Sequence, residues 1–164
     1  MKNKLLILGA ALMALSSCSV NKSKAVSAKE DSTAIVPLIG KMSIKHAIKM
    51  GDSVVLKFTV YNKADSAQQF CKWHTPFEPL MSKYLEVKDA TGNEMLYQGA
   101  MAKRIMPPPA SSYIKINAHD SISATVDLVK AYAIKAPSKY TITYVGQNMS
   151  GLVVKDSVSF VYEK

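Results

Sequence analysis

Lys41-Met42-Ser43-Ile44-Lys45-His46-Ala47-Ile48-Lys49 and, after Gly51-Asp52, Val54-Val55-Leu56-Lys57-Phe58-Thr59-Val60 set the period of this chain. Met42, Ile44, His46 and Ile48 alternate with Lys41, Ser43, Lys45 and Lys49. Val54, Leu56, Phe58 and Val60 then stand against Lys57 and Thr59. A period of two places successive side chains on opposite faces, so each run predicts a half-buried strand. Asn62-Lys63-Ala64-Asp65-Ser66 supplies the turn residues that end the second run.

The rhythm continues downstream. Phe70–Trp73, Tyr84–Val87, Met95–Tyr97, Tyr113–Ile116, Ile122–Leu128, Tyr140–Val145 and Val153–Tyr162 are rich in Val, Ile, Tyr and Thr, the residues that suit a pleated surface. Asp89-Ala90-Thr91-Gly92-Asn93 reads as a hairpin turn between two of them. No amphipathic helix of three turns is evident, although Leu128–Ala133 has room for a short one. The predicted fold is all-β, an immunoglobulin-like antiparallel β-sandwich of about seven to nine strands.

The amino terminus gives an address. Lys2 and Lys4 precede an apolar run from Leu5 to Leu15, and Ser16-Ser17-Cys18 follow. That is the layout of a secretory signal peptide, and the run is shorter than the roughly 20 apolar residues a bilayer span needs. Leu15-Ser16-Ser17-Cys18 resembles the bacterial lipobox, which implies cleavage before Cys18 and lipid attachment to it. The expected organisation is a signal peptide over 1–17, a flexible lipid-anchored tether over 18–39, and a β-sandwich domain over 40–164. The tether is rich in Ser, Lys and Ala, a composition that stays flexible. With no Asp or Glu just after Cys18, the resemblance implies a bacterial envelope protein on the periplasmic face of the outer membrane.

The chain of 164 residues has a formal charge of +9; loss of Lys2 and Lys4 leaves 19 Lys and Arg against 12 Asp and Glu, or +7. Twenty of the cations are Lys, spread along the chain, and Arg104 is the single Arg. Arg supplies bidentate phosphate contacts, so this pattern gives nucleic-acid binding no support. If Cys18 is acylated, Cys71 is the remaining thiol and no intramolecular disulfide is expected. Stability then rests on an apolar core.

Catalytic signatures such as His-Glu-x-x-His, Gly-x-Ser-x-Gly, a phosphate loop or Cys-x-x-Cys do not occur. His46, His74 and His119 are far apart and lack acidic neighbours at ligand spacing; His119-Asp120-Ser121 reads as a strand-entry turn. Met95, Met101 and Met106 are thioethers of the kind that bind copper, but as a group they read as core filler. No cofactor, metal site or catalytic residue is expected.

Residues 61–145 carry an ordered series of elements. These are Tyr61-Asn62-Lys63, Cys71-Lys72-Trp73-His74-Thr75-Pro76-Phe77-Glu78, Tyr97-Gln98-Gly99 with Lys103-Arg104, Val126-Asp127-Leu128 with Tyr132, and Tyr140-Thr141-Ile142-Thr143-Tyr144. The series resembles the amino-terminal prodomain-like module of deuterolysin-type zinc endopeptidases, the aspzincins. In that family the pattern runs Lys-Trp-Asn-Thr-Pro, Tyr-x-Gly followed by Lys-Arg, Val-Asp-Leu-x-x-x-Tyr, and a closing Gly-x-Tyr. His74 stands where the family has Asn, and Ser138 where it has Gly. The expectation is a free-standing module without the peptidase domain.

Cys71 and Trp73 share one strand face and are expected in the core, Trp73 on a central strand. Tyr140 is a candidate tyrosine corner, Asp127 a cap for the turn that follows it, and Tyr132 part of the same framework. Two loops are expected to be exposed and stiff: His74, Thr75, Pro76, Phe77 and Glu78 in one, Lys103, Arg104, Pro107, Pro108 and Pro109 in the other. Stiff loops lose little entropy on binding, although the proline run has an equal reading as a bridge between sheets.

Two functions follow as expectations. The first is a lipid-anchored, non-catalytic envelope protein that inhibits or assists the folding of a protease, with a metalloendopeptidase as partner. The second is a general interaction module for peptide, glycan or envelope protein, with no protease connection.

Overall fold

Alternation in the sequence becomes alternation across a sheet in β1 (Ile39–Ile44), β3 (Val55–Tyr61) and β7 (Ser121–Asp127) of the computed structural model, which describes residues 36–164. In the antiparallel order β1-β3-β7, Met42 faces Phe58 and Phe58 faces Ala124, while Lys41, Thr59 and Ser123 share the opposite side. Leu56, Phe58 and Val60 are fully buried. The outward row is held by the Thr59–Ser123 hydroxyl pair at 2.8 Å. Signal peptide, Cys18 and most of the expected tether lie outside the described residues.

The second sheet runs β2 (Ala47–Lys49), β9 (Val158–Glu163), β8 (Ser138–Tyr144), β5 (Leu85–Lys88). Its inner face contributes Val87, Tyr140, Ile142, Tyr144 and Phe160. Phe58 of the first sheet meets Tyr144 of the second with ring centroids 5.3 Å apart, and Tyr140 stacks on Phe160 at 5.4 Å. Each such buried aromatic contributes about 2–3 kcal/mol by apolar burial. A third, two-stranded unit pairs β4 (Gln68–Cys71) with β6 (Tyr113–Ile116). Among the described residues the helical structure is a four-residue α1 (Gln147–Ser150) and two short 3-10 turns. The fold is the expected all-β sandwich, with nine strands among the described residues.

Several local expectations change. The run over Met42–Ile48 is two strands: the chain leaves the first sheet after Ile44 and enters the second at Ala47, where β2 lies parallel to β9. His46 sits at the crossing, exposed, its carbonyl accepting the Val161 N–H. Leu38 is already in the core and β1 begins at Ile39, slightly before the expected boundary at 40. Met95–Tyr97 forms no strand, because its neighbours reach it only at the Lys88–Glu94 and Tyr97–Tyr132 bridges. In the last run, Val153 makes one parallel bridge to Ile39, and β9 starts only at Val158.

Candidate recognition surface

Trp73 lies just beyond the end of β4, in the turn that follows Cys71, and not on a central strand. Both side chains are buried as expected, Cys71 as a free thiol. The turn after Trp73 is built by Thr75. Its fully buried hydroxyl donates to the Lys72 carbonyl and accepts the Phe77 N–H, and its carbonyl takes the Glu78 N–H. This closed turn pulls Pro76 inside and tips Phe77 toward the core, where its ring meets Phe70 at 5.3 Å and Phe58 at 6.5 Å. The 74–78 loop is therefore not the exposed loop the sequence suggested: Thr75 and Pro76 are buried, and His74, Phe77 and Glu78 half-buried. Aromatic burial outweighs exposure once the Thr75 hydroxyl satisfies the turn's backbone.

Glu78 meets the second loop. Arg104 donates from Nη1 to Glu78 Oε1 at 3.0 Å and from Nη2 to Glu78 Oε2, a bidentate pair with both side chains largely buried. The same guanidinium lies over the Trp73 ring, 4.7 Å from its centroid. Arg104 is thus internal, a clasp between loops that the sequence presented as two separate exposed stretches. A planar fork that also stacks is a role Lys cannot fill. Lys103 stays exposed beside it, as do Pro107 and Pro109, with Pro108 half-buried. Pro109 leads into the 3-10 turn Ala110–Ser112 and so to β6.

His74 holds the clasp's other flank. Its backbone is left-handed (φ 58°), and its carbonyl accepts the Tyr144 hydroxyl at 2.9 Å. Partial burial, then the nearby Arg104 charge, hold its imidazole below the usual histidine value, with Glu78 opposing. Burial pushes the Tyr144 phenol up to about 12. Tyr132 donates to the Leu85 carbonyl at 3.0 Å, with its ring edge-on to Tyr97. Tyr140 donates to the Ala136 carbonyl, four residues upstream, at 2.8 Å. Asp127 does not cap the turn after it; Oδ1 accepts the Val54 N–H across the sheet at 3.0 Å.

On either side of Arg104 the chain exposes apolar side chains that sequence reasoning missed, a ridge along Met101–Met106 with Leu96 also exposed. Leu96 is 67 % exposed, Met101 71 %, Ile105 84 % and Met106 64 %. Met101 and Met106 are therefore not core filler, while Met95 packs half-buried against the core. Ala102 N–H bonds to the Met81 carbonyl, and Ala133 N–H to the Leu96 carbonyl, which fixes the segments on either side. A groove of about 460 Å³ runs between Leu96, Tyr97 and Met101, with the Lys83–Glu94 ion pair at its rim. The available signal was a cluster of Met, Ile and Leu in a stretch that lacks strand alternation. Exposed apolar clusters of this kind mark binding surfaces. Among the described residues, no three His, Cys, Asp or Glu side chains converge as metal ligands would.

Over 78 residues the chain is 35 % identical to a protein of Arthroderma benhamiae described as an uncharacterized secreted protein; the match covers 45 % of this chain and 40 % of that protein. The chain thus spans about two fifths of the length of this relative. No family model matches the chain.

Proposed function

We propose that this chain is a non-catalytic binding module of the bacterial cell envelope, anchored by lipid on Cys18. Its working surface is the ridge at Met101–Met106. The observation that carries this reading is the clasp: Arg104, held by Glu78 and Trp73, fixes the root of an otherwise exposed apolar loop. A loop ordered before binding loses less entropy when it meets a partner. The signal-like amino terminus and the secreted relative fit export.

The motif series like that of the aspzincin prodomain makes a protease, inhibited or helped to fold, the first form of the partner. A general interaction module is the second form. It is favoured by Arg104, which turns inward and leaves Lys103 alone of the Lys-Arg pair to face a partner. The test is capture of envelope and secreted proteins from a native host by the full chain carrying Cys18→Ser, beside the same chain with Ile105→Asp and Met106→Asp. A metalloendopeptidase retained by the first chain only, and losing activity on titration, supports the protease form. Non-proteolytic proteins retained in the same selective way support the general form. Equal retention by both chains overturns the proposed surface.

A further inference from the structure

We infer that β7 is the contact edge of a homodimer, two copies pairing their β7 strands antiparallel into one sheet ordered β1-β3-β7-β7-β3-β1. This surface is separate from the ridge and does not depend on it. In the order β1-β3-β7, β7 has a strand on one side only. Asn62 N–H bonds the Asp120 carbonyl, and Leu128 N–H the Val54 carbonyl. With the register of β3 on β7, these fix Val60–Ile122, Phe58–Ala124 and Leu56–Val126 as the pairs that exchange ladder bonds. The intervening Ser123 and Thr125 therefore turn their N–H and C=O groups outward, where they have no backbone partner among the described residues.

A bare strand edge invites another strand. The other edges are short or charged: β1 carries Lys41, β2 Lys49, β5 Glu86 and Lys88, β6 Lys115, and β4 has four residues. On a chain of formal charge +9, a lysine on an edge keeps copies apart. By contrast, β7 runs seven residues from Ser121 to Asp127 with no Lys, Arg, Glu or Pro.

The strand is also self-complementary about Ala124. Let Ser123 of one copy exchange hydrogen bonds with Thr125 of the other. Ala124 then meets Ala124, Ile122 meets Val126, and Ser121 meets Asp127. Hydroxyl rows join on the outer face, as Thr59–Ser123, Thr141–Ser159 and Thr143–Ser157 already do within each copy. On the inner face Ile122 and Ala124, half-buried in one copy, gain cover. No lysine stands opposite a lysine, and the match of the strand with itself selects a second copy as occupant. A single strand pair buries less than about 1,200 Å², so the dimer is weak and reversible.

Sedimentation velocity of the full chain carrying Cys18→Ser, over about 10 to 500 μM, should show a dimer that dissociates on dilution. Ser123→Lys and Ser123→Glu should each weaken association about tenfold or more, and mixing the two variants should restore it. Ala124→Cys falls on the two-fold axis, where Cα atoms lie about 4.5 Å apart, and should give a disulfide-linked dimer on air oxidation. Ser43→Cys, exposed on the far edge strand β1, should not. An unchanged urea midpoint shows each variant folded, and should a charged variant fail to fold, the cysteine pair decides. A monomer throughout, association untouched by Ser123→Lys, or equal crosslinking of both cysteine variants overturns the inference. So does association that Ser123→Lys abolishes and the mixture leaves unrestored, which would make another strand the occupant of this edge.

Discussion

The guanidinium of Arg104 lies 4.7 Å from the centre of the Trp73 ring while its nitrogens grip both carboxylate oxygens of Glu78. Three residues from two loops thereby form one stacked, ion-paired unit. It is the chain's single arginine among twenty lysines.

Arg104→Lys keeps the charge but loses the fork and the flat face, leaving Glu78 half-satisfied in a largely buried setting. A cost of about 2 kcal/mol is expected, less than for a fully broken buried pair because the charge is kept and some solvent reaches both groups. Urea unfolding measures it, and a cycle with Glu78→Gln should give a coupling above about 1 kcal/mol. An Arg104→Lys variant as stable as the parent would mean the clasp holds nothing.

His74 sets a pH dependence. Its imidazole titrates below 6.5 in the fold because of burial and the Arg104 charge. Between that folded value and about 6.5 the unfolded chain binds more protons, so stability rises with pH across this window and is complete above it. Glu86 and Asp89 act lower, below about pH 4.5, because hydrogen bonds hold their carboxylates ionised. His74→Asn should remove the rise in stability with pH just below about pH 6.5 without loss at pH 7, since Asn tolerates the left-handed backbone that His74 adopts. An unchanged slope in the variant would assign it elsewhere.

Asn62 is 2 % exposed, and its Nδ2 points at the carbonyls of Ser66, Ile116 and Asn117, while Oδ1 accepts the Ala64 N–H. Asn62→Asp turns a donor into an oxygen facing three oxygens. It should cost about 3 kcal/mol at neutral pH, more than the roughly 2 kcal/mol of Asn62→Ala, and recover in part on acidification as the carboxyl regains a proton to donate. Chemical denaturation at about pH 7 and pH 5 tests both the order and the recovery.

The sandwich was legible because burial of one sheet face imposes a period of two, and Leu56, Phe58 and Val60 obey it. The switch of sheets between Ile44 and Ala47 was not, because both strands keep the same alternation and only their partners differ. Asp127 was misread for a related reason. Capping rules look one turn ahead, whereas its partner Val54 is 73 residues away in sequence. The clasp joins Trp73, Glu78 and Arg104 across as many as 31 positions, so Phe77 and Arg104 looked like loop-tip residues when taken singly. Met101 and Met106 looked like filler because methionine's residue type does not distinguish a core from an adaptable surface.

Gly146 tests how tightly the clasp's flank is built. A Cβ there would press on the His74 carbonyl oxygen and sit 2.7 Å from the Tyr144 hydroxyl. Neither can yield easily. The His74 carbonyl belongs to a left-handed backbone turn, and the Tyr144 ring packs on Phe58 while its hydroxyl bonds both His74 and Ser150. The backbone of Gly146 itself, at φ −85°, suits any residue, so the cost of Gly146→Ala is one of space: about 2–3 kcal/mol. Tyr144→Phe alone should cost about 1–2 kcal/mol for the lost hydroxyl bonds. In the double variant the missing hydroxyl removes one of three close approaches, leaving the His74 oxygen and the ring carbon Cζ at 2.9 Å, so the combined loss should fall short of additivity by less than about 1 kcal/mol. Strict additivity in urea unfolding would show that the hydroxyl plays no part in excluding the methyl group, which the His74 carbonyl and the Tyr144 ring carbon then keep out.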